Sequence, residues 1–330
     1  MKKGCFLIPY FGKLPNYFEV FAKSCSQNTS YDWKIFTDDE TKYKIPKNVE
    51  IIKMTFSEFK KLVFEKFKED FPIIEPHKIC DYKPAFGYIF EEFISKEDYK
   101  MWGHCDLDII VGKLDDFITD DMINTYDKMF CLGHMILYKN DYENNRFFMK
   151  EFNGEQLYLK SFRSKETTIF DETHGNDENV NSIFVQNSKK VFFDDYSFNI
   201  KILPTKFIRV KYNYEMKKYE IETPKNAVCV WDNGKVFRYY LENKKIVKEE
   251  YMYIHMQQRK FIFEKVILEL DKFKIIPNKF CKLEFDDINE ITLKKIRKST
   301  ICFHYFSIKN KHIKIRLKEF FNEKNNKPNN

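Results

Sequence analysis

Over the first 140 residues, segments that read as strand and as helix take turns, and this alternation constrains the fold more than any other feature of the chain. "GCFLIP" (4–9) is a short apolar run, as a buried strand requires. In "PNYFEVFAKSCSQN" (15–28) the apolar residues at 17, 18, 21 and 25 keep a helical spacing. "WKIFTDD" (33–39) and "VEIIKM" (49–54) read as strands. "SEFKKLVFEKFKE" (57–69) is apolar at 59, 62, 63 and 67 and opens on Ser57, an expected N-cap. "DYKPAFGYIFEEFIS" (81–95) reads as a further helix and "YKMWGHCDLDIIV" (99–111) as a further strand. The prediction is an α/β fold with a mostly parallel sheet and flanking helices on both faces. Such sheets bind ligands beyond the carboxyl ends of their strands. "IPYFG", "FTDD" and "CDLD" each follow an apolar run at that end, so three polar strand ends are expected on one edge.

Past residue 140 the pattern changes. "DYENNRFFMKEF" (141–152) reads as helix, and "FDETHGNDENVNS" (170–182) as a polar loop of the kind that carries function on a rigid scaffold. Residues 227–256 read as an antiparallel hairpin region, with Asn233-Gly234 between apolar runs as the turn signal. Helices are expected beyond residue 260, followed by an Asn- and Lys-rich end.

The formal charge of +7 is uneven. Residues 291–330 hold eleven Lys and Arg against two Glu, a net +9, so the preceding residues sum to about −2. No nucleic-acid partner is expected, because a nucleic-acid enzyme more often spreads positive charge along a groove. A basic tail suits an anionic membrane surface. "IKNKHIKIRLKEFF" (308–321) places Ile313, Leu317, Phe320 and Phe321 at helical spacing among basic residues, as an interfacial helix does. The same spacing also fits a helix packed on the body.

"MKKGCFLIPYF" lacks the small-residue cleavage site of a secretory signal, and no apolar run approaches the roughly 20 residues of a membrane span. The expected location is the cytoplasm, with peripheral contact at the inner face of the membrane. The eight cysteines show no metal-like spacing. Cys5, Cys80, Cys105, Cys131 and Cys229 sit beside apolar residues and read as reduced core thiols.

Asp106 and Asp108, in "WGHCDLDIIVG", sit two apart on an expected strand and so face the same way. Two carboxylates on one side suit Mg²⁺ or Mn²⁺, ions that keep places for substrate phosphates. With 22 aspartates in 330 residues, one or two such triplets arise by chance, so the weight rests on the strand and the neighbouring polar strand ends.

Together the phrases "FLIPYFGKLPNYFEVF", "FTDD", "KICDYKPAFGYIFEE", "WGHCDLDIIVG" and "YIHMQQRK" resemble the GT-A glycosyltransferases. They are similar to a bacterial family of those enzymes associated with capsule and lipopolysaccharide synthesis. The resemblance runs from about residue 4 to 262. It implies a GT-A domain over 1–262, with a nucleotide-sugar half to about 140 and an acceptor half from 141. Residues 263–330 are left as a basic helical C-terminal extension.

The resemblance also implies roles. Pro9, Tyr10, Phe11 and Gly12 stand where the nucleotide is held. Asp38 and Asp39 stand where a carboxylate accepts from a base N–H, although capping a turn explains them equally well. Asp81 and Lys83 precede a helix, where Lys83 would neutralise diphosphate and Asp81 would bond the ribose or donor sugar; Asp81 also suits an N-cap. His255 lies in an apolar strand, where a lone histidine is more often part of the core. The resemblance makes it the ligand that joins Asp106 and Asp108, and imidazole suits Mn²⁺ better than Mg²⁺. Arg259 and Lys260 would meet phosphate, or simply face water. His104 would stand behind the metal ligands, and Gly133 and His134 near the acceptor.

The implied activity moves a sugar from a nucleoside diphosphate donor, a UDP-sugar by expectation, to a glycan or lipid-linked glycan. An inverting enzyme needs a carboxylate base, and Asp171 and Glu172 are the candidates; a retaining one needs none. Two rivals stay open. A metal-dependent nucleotidyl- or phosphotransferase also uses paired aspartates. A non-catalytic protein that binds a membrane surface or nucleic acid would depend on the tail instead.

Overall fold

The computed structural model describes residues 1–173, 177–201, 203, 205–257, 260–296, 298–299, 310 and 313–314. The chain opens with β1 (Lys2–Pro9), α1 (Phe18–Cys25), β2 (Tyr31–Thr37), β3 (Val49–Lys53) and α2 (Phe56–Phe67). There follow β4 (Tyr99–Cys105), β5 (Ile109–Val111), β6 (Lys128–Met129), β7 (Met135–Lys139), β8 (Val191–Phe192) and β9 (Ser197–Asn199). The later part is richer in strands. A hairpin of β10 (Val210–Asn213) and β11 (Lys218–Ile221) precedes β12 (Val228–Asp232), β13 (Lys235–Glu242) and β14 (Lys245–Tyr251). β15 (Tyr253–His255), β16 (Ile262–Phe263), β17 (Lys272–Ile276) and β18 (Lys279–Cys281) complete the series.

The first sheet runs β3-β2-β1-β4-β7-β6-β8. Its first four strands are parallel, β7 lies antiparallel to both neighbours, and β8 is again parallel to β6. Alternate residues of β1 enter different apolar layers, as the two-residue period of a strand dictates. Leu7 joins Phe36, Trp102 and the α2 residues Phe59 and Val63. Phe6 and Ile8 join Trp33 and the α1 residues Phe18 and Phe21 on the opposite face. The predicted α/β fold, with its mostly parallel sheet and flanking helices, is therefore the observed one.

A second sheet, β14-β13-β12-β17-β18-β16, is mostly antiparallel. Its first turn is the predicted Asn233-Gly234, with φ of 47° and 85°. Positive φ at both positions is what a tight hairpin turn demands. A third, three-stranded sheet of β5, β15 and β9 joins the two halves.

Four expectations need correction. The cap of α2 is Thr55, not Ser57; its hydroxyl accepts from the Glu58 N–H while Glu58 reaches back to the Thr55 N–H, a capping box. Residues 81–95 do not form one helix. A 3-10 stretch, Pro76–Ala85, contains Pro84 and gives way to the single α-turn Phe86–Ile89 and a short 3-10 turn, Glu91–Phe93. Residues 141–152 likewise hold only a 3-10 turn, Asn144–Met149.

The last correction concerns the region beyond 260. Residues 262–281 are strands, and β17 pairs with β12 across the expected boundary at 262. Burial of Phe273, Ile275 and Phe280 against Trp231 drives that pairing. A helix does follow, Glu290–Lys295. Most of the basic tail, including Leu317, Phe320 and Phe321, lies outside the described residues; Ile313 is exposed. Among the described residues no helix is long and apolar enough to cross a membrane. The five cysteines read as core thiols are free; four are buried and Cys80 is half-buried.

Candidate metal centre and cleft

At the carboxyl ends of β1 and β4 the sheet opens into a cleft of about 1020 Å³, whose lining includes Pro9, Tyr10, Phe11, Lys83, Asp106, Asp108 and Lys260. The three polar strand ends do meet along this edge. The Gly12 N–H donates to Asp38 at 2.7 Å and the Leu14 N–H donates to Asp39 at 3.0 Å, so the turn after β1 is tied to the end of β2. Gly12 has a φ of 93°, which favours glycine.

Asp106 and Asp108 do not share a strand. β4 ends at Cys105 and the chain turns into β5 at Ile109, which pairs with His255 of β15. Their two side chains converge because of this turn and not because of a two-residue strand period. His255 Nε2 lies 3.3 Å from Asp108 Oδ1 and 4.0 Å from Asp106 Oδ2. One ligand atom from each of the three residues falls within 4.8 Å of the others.

The other ring nitrogen of His255 decides its tautomer. Nδ1 sits 3.0 Å from Asn199 Oδ1, which also accepts from Gln257 Nε2. An amide oxygen only accepts, so Nδ1 carries the proton, and the Nε2 lone pair of a neutral ring faces two carboxylates. That arrangement is repulsive unless a cation or a proton lies between them. Burial lowers the His255 pKa, but Asp108 and then Asp106 outweigh burial and raise it. Two carboxylates and an imidazole held from behind by an amide fit a divalent metal ion.

Beside the triad, Lys83 donates to Asp106 Oδ1 and to the Gly133 carbonyl, each at 2.9 Å, and lies 3.4 Å from Asp171. Gly133 is a junction. Its N–H donates to Glu172 at 2.8 Å, and a Cβ on it would come within 2.5 Å of Asp171 Oδ2. Asp171 is buried, which pushes its carboxyl up to about 7 against the opposing charge of Lys83. Glu172 is only half-buried. His134 bonds Tyr253 through Nδ1 at 2.6 Å and packs its ring 4.4 Å from that of His255.

The remaining expected residues separate into those that face the cleft and those that build it. Asp39 builds it, because Leu14, Thr41, Tyr43 and Lys13 occupy both of its oxygens. Burial raises its pKa, but bonds from Thr41, Tyr43 and the Leu14 amide hold it well below the usual carboxylate range. Asp81 also builds it, contrary to the expectation of a donor contact. It is fully buried, paired with Lys78 at 2.7 Å, and accepts from the amides of Thr168 and Phe170. No oxygen is left to meet a ligand; Asp81 instead anchors the loop that carries Asp171. Arg259 lies outside the described residues. Asn199 went unread in the sequence, because only the pairing of β9 with β15 brings it to His255.

The family model for DUF6625 matches residues 6–284. The chain belongs to this family of unknown function. The match spans both large sheets and every residue of the triad. No curated protein matches the DUF6625 chain. Solved structures similar to it include an active-site mutant of LgtC, at 11% identity and a TM-score of 0.32, over 59% of this chain and 74% of that one. Another is the galactosyltransferase LgtC in complex with donor and acceptor sugar analogues, at 10% identity and a TM-score of 0.32, over 59% and 75%. The apo-form glycosyltransferase GlyE of Streptococcus pneumoniae TIGR4 aligns at 12% identity and a TM-score of 0.34, over 60% and 47%.

Proposed function

We infer that the chain is a metal-dependent glycosyltransferase of GT-A type, which moves a sugar from a nucleoside diphosphate donor to a glycan or lipid-linked glycan in surface polysaccharide synthesis. The observation that carries this reading is the convergence of Asp106, Asp108 and His255 at the carboxyl ends of parallel strands, beside a cleft. Mn²⁺ is the expected ion and Mg²⁺ its substitute; when bound, it offsets charge that gathers on the leaving diphosphate. Pro9, Tyr10 and Phe11 offer backbone and rings to the nucleoside, a UDP moiety by expectation. Lys83 reaches into the same cleft and supplies a positive charge toward the diphosphate, as does Lys260, which also lines it.

In the transfer the acceptor hydroxyl oxygen bonds to the anomeric carbon, the bond from that carbon to the diphosphate breaks, and the acceptor loses its proton. In an inverting course Glu172 takes that proton, since it is more accessible than Asp171 and is steadied by the Gly133 N–H. Asp171 then serves to orient Lys83. The basic tail brings the enzyme to the anionic membrane face where lipid-linked acceptors are presented.

The test is to incubate the protein with Mn²⁺ and a panel of nucleotide-sugars and identify the products. Free nucleoside diphosphate, lost in Asp108→Ala with an unchanged thermal melt, is the expected result. Release of pyrophosphate would assign a nucleotidyltransferase instead. Co-sedimentation with anionic vesicles tests the tail: salt-sensitive pelleting is expected, and it should vanish in a chain ended at residue 299.

A further inference from the structure

Away from the donor cleft, the β10–β11 hairpin holds apolar side chains toward solvent. All four residues of β11 are exposed. Tyr219, 38% exposed, Ile221 and the turn residue Met216 put three large apolar side chains within six positions. Tyr219 and Ile221 alternate with Lys218 and Glu220, so they share a face with their ladder partners Tyr212 and Val210. That face is seated on the body through Tyr212, which is buried against Cys131 and Leu132. The Tyr212 and Tyr219 rings meet edge to face, with centroids 5.0 Å apart.

The seat sets what the hairpin lies beside. Leu132 precedes Gly133, whose N–H holds Glu172, and the Cys131 carbonyl accepts from the Thr173 N–H at 3.1 Å. Lys217, in the hairpin turn, donates to both oxygens of Asp177 at 2.9 Å. The hairpin thus runs beside the loop of Asp171 and Glu172. Partial burial raises the Tyr219 pKa, and the nearby Glu172 carboxylate raises it further. Among the described residues that line the cleft, none comes from the hairpin, so a ligand here leaves the nucleotide's place free. A tyrosine ring has a negative face, and a sugar ring offers it a face of apolar C–H groups with hydroxyls around the edge. Three side chains fall short of a protein partner, which needs roughly 800 Å² of contact on each side. We propose that the hairpin is the acceptor platform: a sugar of the acceptor glycan stacks on Tyr219, beside Ile221, and turns a hydroxyl toward Glu172. The inference rests on the glycosyltransferase reading and deepens it by giving the acceptor a place.

The test uses lactose, maltose, cellobiose and N,N′-diacetylchitobiose as acceptor probes, each titrated into the full chain with UDP and Mn²⁺ present. Binding is read from the ring ¹³C signals of labelled tyrosine, the Tyr219 signal being the one lost in Tyr219→Phe. At least one disaccharide should move that signal in the wild type. The same disaccharide should bind Tyr219→Phe, which keeps the ring, within threefold of wild type, and Tyr219→Ala at least tenfold more weakly. UDP binding, measured by calorimetry, should stay within twofold in both variants. Should Tyr219→Ala not fold, the Tyr219 signal of the wild type decides alone.

Disaccharide binding that leaves the Tyr219 signal in place, or that survives unchanged in Tyr219→Ala, overturns the inference. So does an equal loss of UDP and disaccharide in Tyr219→Ala, which would show a tyrosine that only supports the fold. A wild type that binds UDP but none of the four disaccharides overturns the platform and leaves the nucleotide site standing. If UDP with Mn²⁺ also fails to bind the wild type, the glycosyltransferase reading falls as well.

Discussion

Asn199 has no charge to give a metal, yet it fixes which nitrogen of His255 can reach one. Partners of that kind behind a ligand are worth about 10- to 100-fold in metal affinity. Asn199→Ala should therefore weaken Mn²⁺ binding by about that factor in calorimetry while the fold persists; unchanged affinity would mean that His255 is not a ligand. Lys128 makes a separate prediction. It is fully buried and donates to the Phe130 carbonyl and the Asn181 side chain. Burial lowers its pKa from the ordinary 10.5 to about 7, against the pull of Cys131 and Asp171. Between those two values the unfolded chain holds more protons than the folded one, so this lysine makes stability rise with pH. Denaturant titrations of wild type and Lys128→Met from pH 7 to 10 should show the wild type gaining on the variant as pH rises. A constant difference would refute the lowered pKa of Lys128.

Secondary elements were legible where their apolar period was clean. β1, β2, β3, α1 and α2 each expose one simple repeat, and the chain places them as that repeat requires. Legibility failed where the backbone changes partner. Residues 99–111 look like one strand, but the ladder passes at Asp106–Asp108 from the first sheet to β15, a pairing set by residues far along the chain. The aspartates were thus found for a reason that the fold replaces with another. In "KFKIIPNKFC" (272–281), Pro277-Asn278 marks a turn between two strands, a signal overlooked beside the lysines. Asp81 looked like a donor contact because nothing near it in sequence shows Lys78 and the 168–170 amides closing around it. Asp81→Ala leaves Lys78 buried without its partner, which costs about 3–5 kcal/mol in comparable pairs; chemical denaturation should show it. Thr55→Ala removes the α2 cap and should cost about 1 kcal/mol by the same measurement.

At the scale of the molecule, the second sheet is not an appendage. β17 lies between β12 and β18, and Trp231 stacks on Phe273 with ring centroids 5.2 Å apart. A chain ended at residue 262 should lose cooperative unfolding, whereas one ended at 299 should melt as the full chain does. The three-stranded sheet carries a further consequence. Asp106 and Asp108, in the turn that leads into β5, come from one half of the chain and His255 of β15 from the other, and β5 and β15 are joined by only three residue pairs. An ion held by all three is a removable crosslink across that seam. If the proposed ion binds the folded chain and not the unfolded one, a hundred times its dissociation constant would add about 2.7 kcal/mol to stability. Chelation would then act as a mild denaturant, loosening first the seam between β5 and β15.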